Sequence, residues 1–252
     1  MNNRVGLVIL AAGKGKRMQE EAGNELPKVL QPLHGKPLIR HLIEGLRGAP
    51  VMWPPVIVIG FKGELVEREL GPEFTYVRQE EQLGTGHATL QARPALEGKV
   101  EHVLVLYGDH PLVPLSVVEA IVMAHVEHDN TLMMATVTVP DFEDWRVGLL
   151  TYGHIVCDDA GKPTRIIEYK DATEAERAIR TVNPGYYCFR AEWLWPHLEQ
   201  LKNENAQGEY YLTDLLGMAI AEGARVETVG IDAKAALGVN TVAELKRLEG
   251  LV

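Results

Sequence analysis

A chain of 252 residues, 46% of them apolar, is long enough to bury a full core and has the composition of an ordinary globular protein. Its formal net charge of −10 argues against nucleic acid as a partner, because phosphate backbones recruit basic surfaces. No run approaches the ~20 apolar residues of a membrane span, and the first apolar stretch is too short for a signal sequence. The two cysteines, Cys157 and Cys188, are far apart, which points to a reduced, cytoplasmic protein without a zinc site.

The first predicted element is the apolar run of Val5, Leu7, Val8, Ile9 and Leu10, read as a buried parallel strand. It runs into Ala11-Ala12-Gly13-Lys14-Gly15-Lys16-Arg17-Met18. Two glycines let backbone N–H groups turn toward an anion and three cations supply charge, so a phosphate cradle is expected here. The order is neither Gly-x-x-x-x-Gly-Lys-Ser/Thr nor Gly-x-Gly-x-x-Gly, since Met18 stands where a third glycine would be. After a spacer, Gln19 to Glu25, comes Leu26-Pro27-Lys28. Read alone, Lys28 is a solvated lysine; beside the cradle its ammonium suits an α-phosphate oxygen.

Residues 38–46 read as a helix, 56–59 as a strand, 63–70 as a short helix and 74–77 as a third strand. The polar, glycine-rich segment Gln79 to His87 follows. In it Gln79 and the backbone of Gly84 and Thr85 offer donors and acceptors to a base edge, with Thr85 also a candidate helix N-cap and His87 a structural histidine. A helix is expected from His87 to Pro94, and a dense strand from Val103 to Tyr107, ending in Gly108-Asp109. The Asp109 carboxylate suits either a Mg²⁺ ion held against phosphate oxygens or a cap for the helix predicted over 115–126; the cradle on a neighbouring strand favours the metal. Strands are expected over 131–139, 153–157, 164–168 and 182–189, helices over 191–202 and 208–222, a strand over 226–229 and a helix from Thr241. Alternating strands and helices in the first half predict an α/β fold with a Rossmann-like, doubly wound, mixed but mostly parallel sheet, in one domain over 1–252. Ligands in such sheets sit at the carboxyl ends of strands, where Leu10, Tyr107 and Gly108 would line the site. In the second half Glu168 and Asn183 suit sugar hydroxyls and an acetamido group, and Asn240 offers a further oxygen to Mg²⁺.

The order Leu-x-x-Gly-x-Gly-x-Arg-Met, spacer, Pro-Lys resembles that of the sugar nucleotidyltransferases. Leu83-Gly84-Thr85-Gly86-His87-Ala88, Glu168-x-Lys170-Asp171-Ala172-Thr173 and Asn205-Ala206-Gln207-Gly208-Glu209-Tyr210-Tyr211-x-Thr213-Asp214 extend the resemblance to the uridylyltransferase domain of the bacterial bifunctional enzyme that makes UDP-N-acetylglucosamine. The resemblance runs from Val5 to Leu248. It implies transfer of a uridylyl group from UTP to a sugar 1-phosphate, N-acetylglucosamine 1-phosphate first, with pyrophosphate released. It implies uridine on Ala11, Ala12, Gly13, Gln79, Gly84 and Thr85, phosphates on Arg17 and Lys28, Mg²⁺ on Asp109 and Asn240, and the sugar on Gly153, Glu168 and Asn183. The chain departs from the family's pattern in its longer spacer, in His110 after the metal aspartate, in Pro184 where threonine is usual, and in lacking the left-handed β-helix acetyltransferase domain. A monomer or small homo-oligomer is therefore expected. The same chemistry on glucose 1-phosphate or another hexose 1-phosphate, and a non-catalytic UDP-sugar sensor that regulates a partner, are the alternatives.

Overall fold

A computed structural model of the chain describes residues 5–252; of the domain expected over 1–252, residues 1–4 lie outside the described residues. The first strand, β1 (Val5–Ala11), is buried at every position, as its unbroken apolar run requires. A seven-residue helix, α1 (Lys16–Ala22), follows, then a single 3₁₀ turn over Lys28–Leu30 and a small hairpin of β2 (Pro32–Leu33) and β3 (Lys36–Pro37). Next come α2 (Leu38–Gly45), β4 (Met52–Ile59), α3 (Gly63–Leu70), β5 (Thr75–Arg78), α4 (Thr85–Leu90), α5 (Arg93–Leu96), β6 (His102–Tyr107) and α6 (Leu115–Glu127). The second half contributes β7 (Leu132–Thr138), β8 (Gly153–Cys157), β9 (Pro163–Ile167), α7 (Glu174–Arg177), β10 (Thr181–Asn183), β11 (Tyr187–Arg190), α8 (Ala191–Leu198), α9 (Asp214–Ala221), β12 (Val226–Gly230) and α10 (Val242–Glu249).

The main sheet is mixed, in the order β5-β4-β1-β6-β11-β7-β10-β8-β9, with β12 paired to β7. From β5 to β6 all neighbours are parallel. Beyond β6 the pairings along that order are antiparallel, and only β12 rejoins in parallel. The chain leaves β1 toward β4 and β5, then returns to the other side of β1 as β6. That reversal makes the carboxyl ends of β1 and β6 a topological switch point, the usual place for a ligand crevice. Strand pleating divides the core between two faces. Val8, Leu10, Val103 and Val105 pack with Leu194 and Trp195 of α8 and Leu215 of α9. Leu7, Ile9, Leu104 and Leu106 pack with α2, α3 and α6 through Leu42, Val66 and Ile121. A third cluster joins Met18 of α1 to Val137, Val182, Val239 and Leu248, tying the end of the chain to its beginning.

Four local expectations are corrected. The spacer after the glycines carries α1, a helix whose only buried residue is Met18, so it lacks the apolar stripe by which helices are read. The helix expected up to Pro94 breaks after Leu90, and Pro94 instead sits in the first turn of α5, where its missing N–H costs nothing. The strand expected over 182–189 is two strands, separated at Pro184-Gly185. The helix expected from residue 208 begins only at Asp214, because Tyr210 bonds instead to the glycine-rich loop before α4.

Candidate active site

The turn after β1 forms one wall of a cleft of about 590 Å³, lined by Leu10, Ala11, Ala12, Gly13, Lys14, Gly15 and Lys16. Gly15 is left-handed, with φ of 61°, and a Cβ there would lie 2.7 Å from the Cβ of Lys28. Only glycine lets the loop lie directly on that lysine. Arg17 does not line the cleft: Lys16 opens α1, and the helical turn carries the next residue round to an exposed position. Lys14 and Lys16 are the cations of this turn that line it.

Gln79, Gly84, Thr85, Ala88 and Tyr107 form the opposite wall. The Gln79 side-chain nitrogen donates to the Gly84 carbonyl at 3.1 Å and to Nδ1 of His87 at 3.0 Å. Both its protons are thereby used, and the amide oxygen is left as the end that can meet a ligand. His87 is structural, as expected. Gly84 has φ of 111°, and a Cβ on it would sit 2.6 Å from the Tyr210 carbonyl. It, rather than Thr85, is the N-cap of α4. The Thr85 hydroxyl has a different task, accepting the Leu212 N–H at 3.0 Å. Two strands of wall are thus stapled together by Gly86 N–H to the Tyr210 carbonyl and Tyr210 N–H to the Leu83 carbonyl, both at 2.8 Å.

Asp109 follows β6 and is 7% exposed. It caps no helix, since Pro114 occupies the N-cap of α6. Its carboxylate pairs with the Lys28 ammonium, which also donates to Oδ1 of Asn240 at 2.7 Å. Burial pushes the Asp109 carboxyl up, but the adjacent Lys28 charge and hydrogen bond outweigh it and hold the group below the ordinary carboxylate range. Gly108 lines neither cleft; its N–H donates to the Leu10 carbonyl at 2.9 Å and sets β6 against β1. Asn240 is brought here by residues 235–239, which are moored from three sides. Val239 N–H donates to the Asp109 carbonyl at 3.1 Å. The Tyr152 hydroxyl donates to the Ala236 carbonyl at 2.9 Å and accepts Gly238 N–H at 2.8 Å. The Tyr186 hydroxyl donates to the Ala235 carbonyl at 2.9 Å, so it must accept its 2.8 Å bond from Nδ1–H of His110. Burial lowers the His110 pKa to about 4 and keeps the ring neutral. The departure at His110 therefore serves a buried mooring. Among the described residues no group of three or more His, Cys, Asp and Glu side chains could hold a metal by themselves. One carboxylate and one amide oxygen converging on a single cation do fit Mg²⁺, which takes hard oxygens and shares its remaining positions with water and phosphate.

A second cleft of about 260 Å³ adjoins the first and shares Lys28, Thr85, Tyr107, Asp109 and Glu209 with it. Gly153, Glu168, Asn183, Pro184 and Asn240 line it, so the expected sugar-side residues do come together. Glu168 accepts the Thr213 hydroxyl at 3.1 Å, and burial raises its carboxyl to about 7. Asn183 is largely occupied: Oδ1 accepts Gly185 N–H at 3.0 Å and Nδ2 donates to the Tyr187 hydroxyl at 2.5 Å. Lys170 and Glu209 are lining residues that single-residue reading missed. The signal was there in the two long motifs that contain them.

The family model for the MobA-like NTP transferase domain matches residues 7–217, from inside β1 to α9. The chain belongs to that family. It is a nucleotidyltransferase. Among curated relatives of this NTP transferase, the bifunctional protein GlmU of Brevibacillus brevis is 41% identical over 98% of this chain and 51% of its own length. GlmU of Desulfotalea psychrophila is 38% identical over 96% of this chain and 69% of its own. The chain spans about half the length of the first of these. Among solved structures, a UDP-glucose pyrophosphorylase complexed with UDP-glucose superposes with a TM-score of 0.76 at 19% identity, over 98% of both chains. That likeness shows the shared fold. No helix among the described residues is long and apolar enough to cross a membrane.

Proposed function

We propose that this NTP transferase moves a uridylyl group from UTP to a sugar 1-phosphate, N-acetylglucosamine 1-phosphate in the first instance, in the cytoplasm and with Mg²⁺. The observation that carries the reading is the pair of adjoining clefts meeting at Lys28 and Asp109. One is walled by a glycine loop and the Gln79–Thr85 segment, the other by sugar-compatible polar groups, and the Lys28–Asp109 pair stands where they join. The names of the relatives support the same reading, as does the UDP-sugar in a structure of the same fold.

In this reading Gln79 offers its amide oxygen to the imide N–H of uracil, while the loop N–H groups, Lys14 and Lys16 receive the phosphates. Lys28 neutralises charge on the α-phosphate as the sugar phosphate oxygen attacks in line and pyrophosphate leaves. Asp109 and Asn240 would hold Mg²⁺, which supplies electrostatic stabilisation of phosphate charge. The Glu168 carboxyl and the backbone at Gly153 orient the sugar. Glucose 1-phosphate is a second candidate acceptor, because Asn183 spends its amide on Tyr187 and Gly185, and Pro184 brings no N–H to the cleft. A single experiment tests the whole reading: pyrophosphate release measured with each of UTP, CTP, ATP and GTP against both sugar phosphates. UTP with N-acetylglucosamine 1-phosphate is expected to lead. Preference for a purine nucleotide overturns the base assignment, and an excess of UDP-glucose overturns the sugar.

A further inference from the structure

Asp109 and Asn240 reach Lys28 from opposite ends of the fold: one follows β6, the other is moored by Tyr152 and Tyr186. Both present an oxygen to the same atom, the Lys28 Nζ. Asp109, whose carboxylate pairs with that ammonium, is 7% exposed, so the ion pair sits in a medium where charges act strongly on one another. We propose that Lys28 is a built-in competitor for the divalent cation. Its ammonium and the metal use the same two oxygens and cannot hold them together, so the site takes metal only when an incoming triphosphate draws the lysine away. This rests on the metal assignment made above and adds its control.

Three observations favour a movable ammonium over a fixed structural pair. Lys28 lines both clefts, so an anion in either one lies within its reach. It is a flexible point charge, suited to changing partners in a way a bidentate arginine is not. Its stem lies under Gly15, the left-handed residue of the phosphate loop, so whatever fills that loop lies directly beside the lysine. The donor set agrees: with only one carboxylate and one amide oxygen, the protein alone makes a weak magnesium site, and phosphate oxygens complete it. The consequence is an order of events. Triphosphate and metal enter as a unit, and free metal does not occupy the enzyme beforehand.

The test is binding of Mn²⁺, followed by its electron paramagnetic resonance signal, to the full chain with and without UTP. The wild type is expected to bind Mn²⁺ weakly alone. Lys28→Met and Lys28→Gln should each bind it at least about tenfold more tightly without nucleotide, since a neighbouring positive charge has been removed. The glutamine variant keeps a hydrogen-bond donor toward Asn240 and decides the matter if the methionine variant fails to fold. Equal or weaker Mn²⁺ binding by both folded variants overturns the competition. Adding Asp109→Asn to either variant should abolish the gain; a gain that survives it overturns the competition for these oxygens. Nucleotide-dependent Mn²⁺ binding by wild type that is insensitive to Asp109→Asn removes the metal assignment itself, and so separates the two failures.

Discussion

The two clefts are built by opposite means. The wall toward the glycine loop is mostly backbone: a parallel strand, a turn with left-handed Gly15, and a second turn closed by Gly84. The wall toward Glu168 and Asn183 is mostly side chain, set on short antiparallel strands and tied by hydrogen bonds between distant residues. In the proposed reading the backbone wall meets what every nucleoside triphosphate shares, its phosphates, whereas the side-chain wall is free to be retuned for one sugar. The first is intolerant of added atoms; the second is sensitive to charge and to single hydrogen bonds.

The largest expected effect lies where the walls meet. Asp109→Ala should lower turnover by at least about two orders of magnitude, because it removes a group that supports charge in the transition state. Near wild-type turnover in a variant with an unchanged circular dichroism spectrum would show that the junction is not the reacting centre. Next, Gly84→Ala should cost about 3 kcal/mol of stability, combining a strained φ with a Cβ 2.6 Å from the Tyr210 carbonyl. Gly13→Ala, on the facing wall of the same cleft and with nothing within 4 Å of its Cβ, should stay within about 0.5 kcal/mol. Urea unfolding of the pair decides; equal losses would mean that backbone packing does not distinguish the two positions.

The side-chain wall should answer to pH instead. Glu168 keeps its proton up to about 7 in the folded protein, against an ordinary value of 4.5. Between these values the unfolded chain has already lost the proton, so stability should fall as pH rises from 4.5 through 7 and then level off. The loss should be on the order of 2 kcal/mol, reduced from the full effect by partial exposure of the carboxyl. Glu168→Gln should remove it, and a wild type whose unfolding midpoint changes between pH 5 and pH 8 no more than the variant's would show that this carboxyl is not buried as charge. The smallest effect concerns sugar choice. Pro184→Thr restores an N–H and a hydroxyl beside Asn183, together worth roughly 0.5–1.5 kcal/mol, and should raise the ratio of UDP-N-acetylglucosamine to UDP-glucose from mixed substrates by up to about tenfold. An unchanged ratio would place the discrimination elsewhere in that cleft.

The same contrast governs how much could be read in advance. An unbroken apolar strand, two glycines and a cluster of cations within 14 residues report a parallel strand and its anion loop, because all the physics is local. Asp109 is legible for the same reason, as a carboxylate at the end of a dense strand. The meeting of Lys28 with Asn240, 212 residues apart, leaves no trace in spacing; the reading of the residues and the resemblance paired Asn240 with Asp109 on a metal, not with the lysine. The run Tyr210-Tyr211-Leu212 imitates the start of a helix, yet its backbone is taken by the loop before α4. Arg17 looked equivalent to its neighbours Lys14 and Lys16 in sequence, and a single helical turn separated them. The apolar residues on both sides of Pro184-Gly185 hid a break that sends β10 and β11 to opposite sides of β7.

The mooring of residues 235–240 has a consequence for how the protein is made. A ribosome delivers the glycine loop, Lys28 and Asp109 long before Asn240. During the intervening elongation the buried aspartate and its lysine have each other but not their third partner, and the hydroxyls of Tyr152 and Tyr186 wait for carbonyls that do not yet exist. Until residues 235–240 have emerged, a nascent chain has the Lys28–Asp109 pair without the amide oxygen that completes its cluster. A chain cut short before residue 235 is therefore expected to lack both tyrosine moorings and the Lys28 contact to the Asn240 amide.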